Sequence, residues 1–286
     1  MKLKAGIIGS GNIGTDLLMK MLKSNKIDPV IFVGRRSDSD GIYKASQLGI
    51  KTSTDGIAYF KKTPRCCDVI FDCTNALSAV ENNIVFQSQN INVIDLTPSK
   101  IGNMCIPIIN GDILSTSKNI NMITCGGQAS IPVLHLIAEC SNYKIEYIEI
   151  VSQIASKSAG LATRLNIDQY IHTTEDAIKL FTKCNKCKVI LNINPAFPYV
   201  DMQTTIFVKS ENININELQK KLNDRIKKVQ TYVPFYEMVM TPIVNDDGIL
   251  IFSIRIRGIG DYLPSYAGNL DIINCASIYM AEKLVI

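Results

Sequence analysis

The chain has 286 residues, 47% of them apolar and 20% charged, with a net charge of +4. That length supports one large or two medium domains, and the balance is that of a soluble globular protein rather than a disordered or fibrous one. The mild charge argues against nucleic acid or a membrane surface as the main partner, and no apolar run is long enough to span a bilayer.

Lys4 to Gly9 predicts a buried strand that begins almost at the first residue. No leader-like apolar region with a cleavage site precedes it, so the expectation is a cytoplasmic protein. Ile13 to Lys23 predicts a helix with Ile13, Leu17, Met21 and Leu22 on one face, and Val30 to Gly34 a second strand. Asp68 to Cys73, Asn92 to Leu96 and Asn121 to Thr124 are short apolar strands ending in polar or small residues, where open α/β sheets bind ligands. This alternation predicts an α/β fold whose residues 1–125 form a Rossmann, doubly wound parallel sheet. Beyond Cys125 the texture changes. A helix is expected over Gln128 to Cys140, a strand over Tyr143 to Ile154, and a helix over Ile167 to Thr182. Strands follow near Val189 to Ile193 and Thr205 to Val208, then a charged helix over Asn214 to Thr231 and strands over Phe235 to Val244 and Ile249 to Ile256. Residues 126–265 therefore read as an α+β catalytic and oligomerisation domain. A closing helix over Asn269 to Val285 is expected to return residues 266–286 to the first domain.

Gly9-Ser10-Gly11-Asn12-Ile13-Gly14 fits G-x-G-x-x-G between a buried strand and a helix. The first glycine permits a tight turn, the second lets backbone approach a pyrophosphate, and the third lets helix and strand pack closely. A site for NAD usually ends the second strand with an acid for the ribose 2′-hydroxyl. Here Gly34-Arg35-Arg36-Ser37 stands there, and two guanidinium groups suit a 2′-phosphate, so NADP is favoured over NAD.

Nine cysteines at irregular spacing, several inside apolar segments, read as reduced thiols. Cys184 and Cys187 form a lone CxxC at the end of a predicted helix, read as a helix-end turn with no metal. His135 and His172 sit in no motif. Cys125 differs, because Gly126, Gly127, Gln128 and a helix follow it directly. A thiol at a helix N-terminus has its thiolate stabilised by the dipole and unpaired amides, and the glycine N–H groups could serve as oxyanion donors. On the residues alone, core packing and catalysis remain equally open for it.

The sequence resembles the acylating acetaldehyde dehydrogenases that work with 4-hydroxy-2-oxovalerate aldolases. The resemblance is carried by Ile8 to Leu17, Asp95-Leu96-Thr97-Pro98, Asn121 to Ala129, Ser156 to Gly160 with Thr163-Arg164, Asn166-Ile167-Asp168, and Tyr262 to Ile272. It implies a coenzyme A-acylating aldehyde dehydrogenase that makes an acyl-CoA and NAD(P)H reversibly from a small aldehyde. Cys125 would form a thiohemiacetal and then a thioacyl intermediate. It also implies that Ser10, Gly11, Asn12 and Ile13 contact the nucleotide. Ser158, Ala159, Gly160, Leu161, Ala162, Thr163, Arg164, Leu165 and Asn166 are implied to do so too, as is Asn269. Asn166 and Asn269 also read as helix caps. A homodimer or larger homo-oligomer, and an aldolase-like partner, are implied as well.

Three departures stand out. The family's second-strand aspartate is Arg36. Its glutamate after Asn194-Pro195-Ala196 falls on Phe197, and its proposed base aspartate falls on Thr204. Asp201 is the nearest acid, at an odd offset that turns a strand side chain to the opposite face. Phe197 and Tyr199 read as core residues or as a reshaped pocket. The span from Val233 to Gly260 is also shorter than in the family. The alternatives are an acyl-thioester reductase with a non-acetyl substrate, a phosphorylating semialdehyde dehydrogenase, and a non-catalytic binding subunit of an aldolase-like complex.

Overall fold

The computed structural model describes residues 2–141, 145–210 and 215–285, without the side chains of residues 161 and 162. The chain forms two compact units: Met1–Ile123 with Asp261–Leu263 and Ile273–Ile286, and Thr124–Gly260 with Pro264–Ile272.

The first unit runs β1 (Leu3–Ile8), α1 (Asn12–Lys23), β2 (Ile27–Val33), α2 (Asp40–Gln47), β3 (Thr52–Ser53), α3 (Ile57–Lys62), β4 (Val69–Asp72), α4 (Ala76–Ser88), β5 (Asn92–Asp95), β6 (Asn103–Met104), α5 (Pro107–Asn110) and β7 (Asn119–Asn121). Its seven strands lie in the order β3-β2-β1-β4-β5-β7-β6. All neighbours are parallel. The middle strands are runs of Ile, Val and Phe because both faces are covered, and Ile7, Phe32, Val33, Ile70 and Phe71 are fully buried. The chain order reverses between β1 and β4, so the ligand crevice of this unit lies beyond their C-terminal ends. The β1–β2 register slips between Ala5 and Gly6, beside Pro29, which has no N–H to add to the ladder.

The second unit contains α6 (Cys125–Cys140), β8 (Tyr147–Ala155), α7 (Leu161–Leu165), α8 (Ile167–Thr182), β9 (Lys186–Asn194), β10 (Met202–Lys209), α9 (Ile215–Gln230), β11 (Tyr236–Val244) and β12 (Ile249–Ile256). Its sheet order is β11-β12-β10-β8-β9. Only the β8–β9 pair is parallel. Alternation along the strands separates two faces. Ile148, Ile150, Ile206, Val208, Phe252 and Ile254 are buried on one face, while Val151, Phe207 and Ile251 are half-exposed on the other. Most of α6 is buried, and it packs against α8 and α9.

The final helix, α10 (Gly268–Glu282), starts in the second unit and ends in the first. Within the first unit Lys20 is buried with its Nζ 3.3 Å from Asp16 and 2.7 Å from Asp261. Asn274 Nδ2 donates to Asp16 over 2.8 Å. Removing one member of so buried a charge cluster would strand its partners, which is why residues 261–263 and the end of α10 hold to α1.

Several expectations need correction. α6 starts at Cys125, not Gln128, because Thr124 caps it. The strand expected through Thr124 ends at Asn121. α10 starts at Gly268, which puts Asn269 in its first turn rather than in a capping position. Asn166 precedes α8, but its ψ of 26° is not the extended backbone that swings a side chain over the first N–H groups, and it makes no capping bond. Phe197 is 84% exposed, so it is no core residue. Cys187 lies in β9 rather than at a helix end. The strand start expected at Tyr143 and the helix start at Asn214 lie outside the described residues. The sequence pattern did not mark α4, whose exposed Leu77, Val80 and Ile84 blur any apolar stripe, or the two-residue strands β3 and β6.

Candidate active site

In the first unit Gly9 has φ +115° and a Cβ there would stand 2.5 Å from the Cys73 carbonyl just past β4. Only glycine fits this turn at the point of strand reversal. A Cβ on Gly14 would stand 2.0 Å from the Gly9 carbonyl, so α1 packs on the turn as closely as backbone permits. Gly11 has nothing within 4 Å of its Cβ position, and no side chain caps α1. Open space at an uncapped helix N-terminus suits a pyrophosphate, so these residues fit a dinucleotide. Asn12 is exposed and Ile13 half-buried in the first turn of α1. Ser39 Oγ donates to Ser10 Oγ over 2.9 Å and to the Ser10 carbonyl over 3.0 Å, fixing the loop after β2 against the turn.

Arg35 and Arg36 follow β2 and are exposed. Arg36 Nε and Nη2 donate to the two Asp38 carboxylate oxygens over 2.9 and 2.7 Å. The pair holds Asp38 below the usual carboxylate range and raises Arg36. The fork that would take a phosphate already holds an anion of its own chain.

Cys125 is the first residue of α6 in the second unit. Thr124 Oγ1 accepts from the Gly127 N–H over 3.0 Å and lies 2.7 Å from Thr174 Oγ1. Thr174 donates in turn to the Tyr170 carbonyl over 2.7 Å, so Thr124 is the donor to Thr174, and the start of α6 is tied to α8. This cap corrects one expectation: the Gly127 N–H serves Thr124 and is no free oxyanion donor. The Gly126 N–H favours negative charge on both the sulfur and the Tyr170 oxygen. Burial pushes the Cys125 thiol up to about 11, opposed by Tyr170 and by the Gly126 and Cys125 N–H groups, which favour the thiolate; the protonated thiol donates to Tyr170 Oη over 3.7 Å. The helix N-terminus alone therefore does not make a low-pKa thiol here.

The sequence did not single out the side chain that meets this cysteine, Tyr170, or Ser152 near it. Tyr170 Oη of α8 lies 3.7 Å from Cys125 Sγ. Ser152 of β8 acts to lower the Tyr170 pKa against burial and lies 2.9 Å from Thr204 Oγ1 of β10. A Cβ on Gly126 would stand 2.3 Å from Tyr170 Oη, so this glycine makes room for the phenol. Just ahead of the cap, Ile123 holds φ 66°, a strained value for a β-branched residue, with its N–H bonded to Asn121 Oδ1 over 2.9 Å.

The loop after β8 is compact. Ser158 is buried and donates to the Ala155 carbonyl over 2.9 Å. Arg164 folds back onto the loop, donating to the Ala159 carbonyl over 3.1 Å and to Ser156 Oγ over 2.9 Å. Gly160 is open, Thr163 and Asn166 half-buried, and Leu165 72% exposed. The side chains of Leu161 and Ala162 lie outside the described residues. Asn269 is buried, with Nδ2 3.5 Å from the Ser158 carbonyl and Oδ1 without a partner. An orphaned buried acceptor beside this loop fits a ligand's donor group.

Thr204 is fully buried opposite Ser152. Asp201 is raised by burial and feels Arg255, Arg257 and Glu237. These are not the groups that Cys125 feels. The Tyr199 and Tyr266 rings meet at 4.7 Å between centroids, tilted by 49°. Cys187 Sγ donates to the Glu175 carbonyl over 3.4 Å, and its nearness lowers the Cys184 pKa. His135 and His172 pair with Glu139 and Glu175 on their own helices.

A parallel sheet with a dinucleotide turn, followed by a mixed-sheet unit opening on a capped cysteine, defines a two-domain α/β dehydrogenase. Residues 125–264 match the family described as prokaryotic acetaldehyde dehydrogenase, dimerisation. The acetaldehyde dehydrogenase of Spirochaeta aurantia is 49% identical over 98% of this chain and 94% of its own length. That of Pectobacterium atrosepticum is 46% identical over 99% of this chain and 96% of its own length. The chain belongs to the acetaldehyde dehydrogenase family. Among solved structures, the aspartate semialdehyde dehydrogenase of Candida albicans with NADP matches with a TM-score of 0.64 at 13% identity, covering 99% of this chain and 98% of its own. Aspartate semialdehyde dehydrogenase II of Vibrio cholerae matches with a TM-score of 0.65 at 12% identity, covering 100% of this chain and 99% of its own. These two share the fold.

Proposed function

We propose that this protein is a coenzyme A-acylating aldehyde dehydrogenase with Cys125 as its nucleophile. The observation that carries the reading is Cys125 at the capped start of α6, in contact with a buried phenol, in a chain nearly half identical to named acetaldehyde dehydrogenases. The Cys125 sulfur adds to the aldehyde carbon, and the carbonyl electron pair moves to oxygen and takes a proton. When bound, the oxidised nicotinamide supplies the hydride acceptor that turns this thiohemiacetal into a thioester, with loss of the oxygen's proton. The thiolate of coenzyme A then attacks the thioester carbon, and Cys125 leaves as thiolate.

The turn from Gly9 to Gly14, with Ser10, Gly11, Asn12 and Ile13, holds the pyrophosphate. Residues 158–166 and Asn269 belong to the nucleotide site, with Asn269 Oδ1 as an acceptor. Arg35 and Arg36 favour NADP, Arg36 by exchanging Asp38 for the 2′-phosphate. The second unit forms a homo-oligomer through the sheet face carrying Val151, Phe207 and Ile251. An aldolase-like partner follows from the family resemblance.

The test is aldehyde oxidation with coenzyme A or inorganic phosphate, on the natural chain and Cys125→Ala, with mass spectrometry after exposure to acyl-CoA. Coenzyme A-dependent turnover and an acyl adduct, both lost in Cys125→Ala, are expected. Turnover only with phosphate would transfer the reading to a phosphorylating enzyme. Neither turnover nor adduct across several acyl chains would point to a binding subunit.

A further inference from the structure

We infer that Tyr170 is a catalytic residue of this site, donating a hydrogen bond to the Cys125 thiolate, and that Ser152 and Thr204 are positioning residues that orient it from behind. The inference rests on Cys125 being the nucleophile. The sulfur and the phenol oxygen are 3.7 Å apart. Ser152 Oγ and Tyr170 Oη flank the Gly126 Cβ position at 3.4 and 2.3 Å, Ser152 acts to lower the phenol's pKa against burial, and Thr204 Oγ1 lies 2.9 Å from Ser152 Oγ. The chain of hydroxyls thus runs from α8 through β8 to β10. Ser152 and Thr204 are direct cross-strand partners on the buried face of the sheet, where Ile148, Ile150, Ile206 and Val208 are their strand neighbours. A hydroxyl in such a setting costs free energy unless it is paired, so apolar residues would serve packing better. With each hydroxyl donating toward the sulfur, Thr204 to Ser152, Ser152 to Tyr170 and Tyr170 to Cys125, successive dipoles polarise one another and favour negative charge on the sulfur.

The surroundings give this chain its importance. Burial opposes ionisation of Cys125, and the groups that assist it are Tyr170 and two backbone N–H groups, with no charged side chain among them. Tyr170 is itself so buried that it stays protonated and can act only as a donor to the thiolate. Thr204, where a carboxylate was expected by resemblance, closes the chain with a neutral group. The residues place this cysteine under hydrogen-bond control rather than ion-pair control.

The experiment is the pH dependence of Cys125 alkylation by iodoacetamide, followed by peptide mass spectrometry on the natural chain, Tyr170→Phe, Ser152→Ala and Thr204→Val. A hydrogen bond to a charged group is worth enough that Tyr170→Phe should raise the midpoint by about one unit, or about tenfold slower alkylation below it. Ser152→Ala and Thr204→Val should move it less, in the same direction. An unmoved midpoint in Tyr170→Phe would overturn the inference, since a purely structural phenol does not affect thiol ionisation. If Tyr170→Phe does not fold, unmoved midpoints in both other variants overturn it equally. The readout needs no turnover: a natural chain that shows these shifts but oxidises no aldehyde with coenzyme A refutes the proposed function and not the hydrogen-bond chain.

Discussion

Gly126→Ala tests how tightly the cysteine and the phenol are matched. Gly126 is helical, so alanine meets no backbone barrier there and would gain at most about 1 kcal/mol in helix propensity. Its methyl group, however, would stand 2.3 Å from Tyr170 Oη, 3.3 Å from Cζ and 3.4 Å from Ser152 Oγ. An ordinary contact needs about 3.4 Å or more, so the phenol must retreat by about 1 Å, roughly the scale of overpacking strain that costs 1–3 kcal/mol in a dense core. The two effects nearly cancel in stability, leaving a net loss of about 1 kcal/mol and a melting shift of a few degrees. They do not cancel at the sulfur, because a retreat of that size takes the 3.7 Å contact beyond hydrogen-bonding range. The expected result is a nearly native melting curve with coenzyme A-dependent turnover reduced at least tenfold. Calorimetry and steady-state rates on the same preparation measure both. Full turnover in Gly126→Ala would refute the close approach of phenol and sulfur as a functional requirement.

The remaining predictions concern the first unit. Asp38→Asn frees the Arg36 fork and should tighten NADP binding several-fold while leaving NAD nearly unchanged. Arg36→Asp should weaken NADP more than NAD, and equal effects on both, read by fluorescence titration, would show that Arg36 does not reach the 2′ position. Asp95, buried beside Asp72 at the strand ends, is raised by burial and by the Asp72 charge to about 6 from an ordinary 3.8. The folded state then binds this proton more tightly than the unfolded chain. The associated stability is full below about pH 4 and is lost as pH rises through 6, a change of about 3 kcal/mol. Urea unfolding at pH 4.5, 5.5 and 7 checks the slope against Asp95→Asn, in which it should be shallower, the Asp72 carboxyl being raised by burial as well; identical slopes in both proteins would contradict it.

Sequence alone was enough for the features that depend on neighbours along the chain. The turn from Gly9 to Gly14 was legible because glycine at those spacings answers a local backbone demand, and the structure shows the same demand in the Gly9 torsion and the Gly14 approach. Most strands and long helices were legible from periodic burial. The start of α6 was misplaced because Thr124 looks like a strand end until its hydroxyl is seen accepting the Gly127 N–H. The bidentate grip of Arg36 on Asp38 was not legible, because nothing in the residue type reveals it.

What only the tertiary structure decided is the environment of the sulfur. Tyr170 is 45 positions from Cys125, and Ser152 is 52 from Thr204. No periodicity links them, since their meeting depends on α8 packing against α6 and on β8 pairing with β10. The sequence determined that a cysteine stands at the head of a glycine-rich helix start. The hydroxyls of Tyr170, Ser152 and Thr204, brought together only once distant segments pack, make the environment in which that thiol sits.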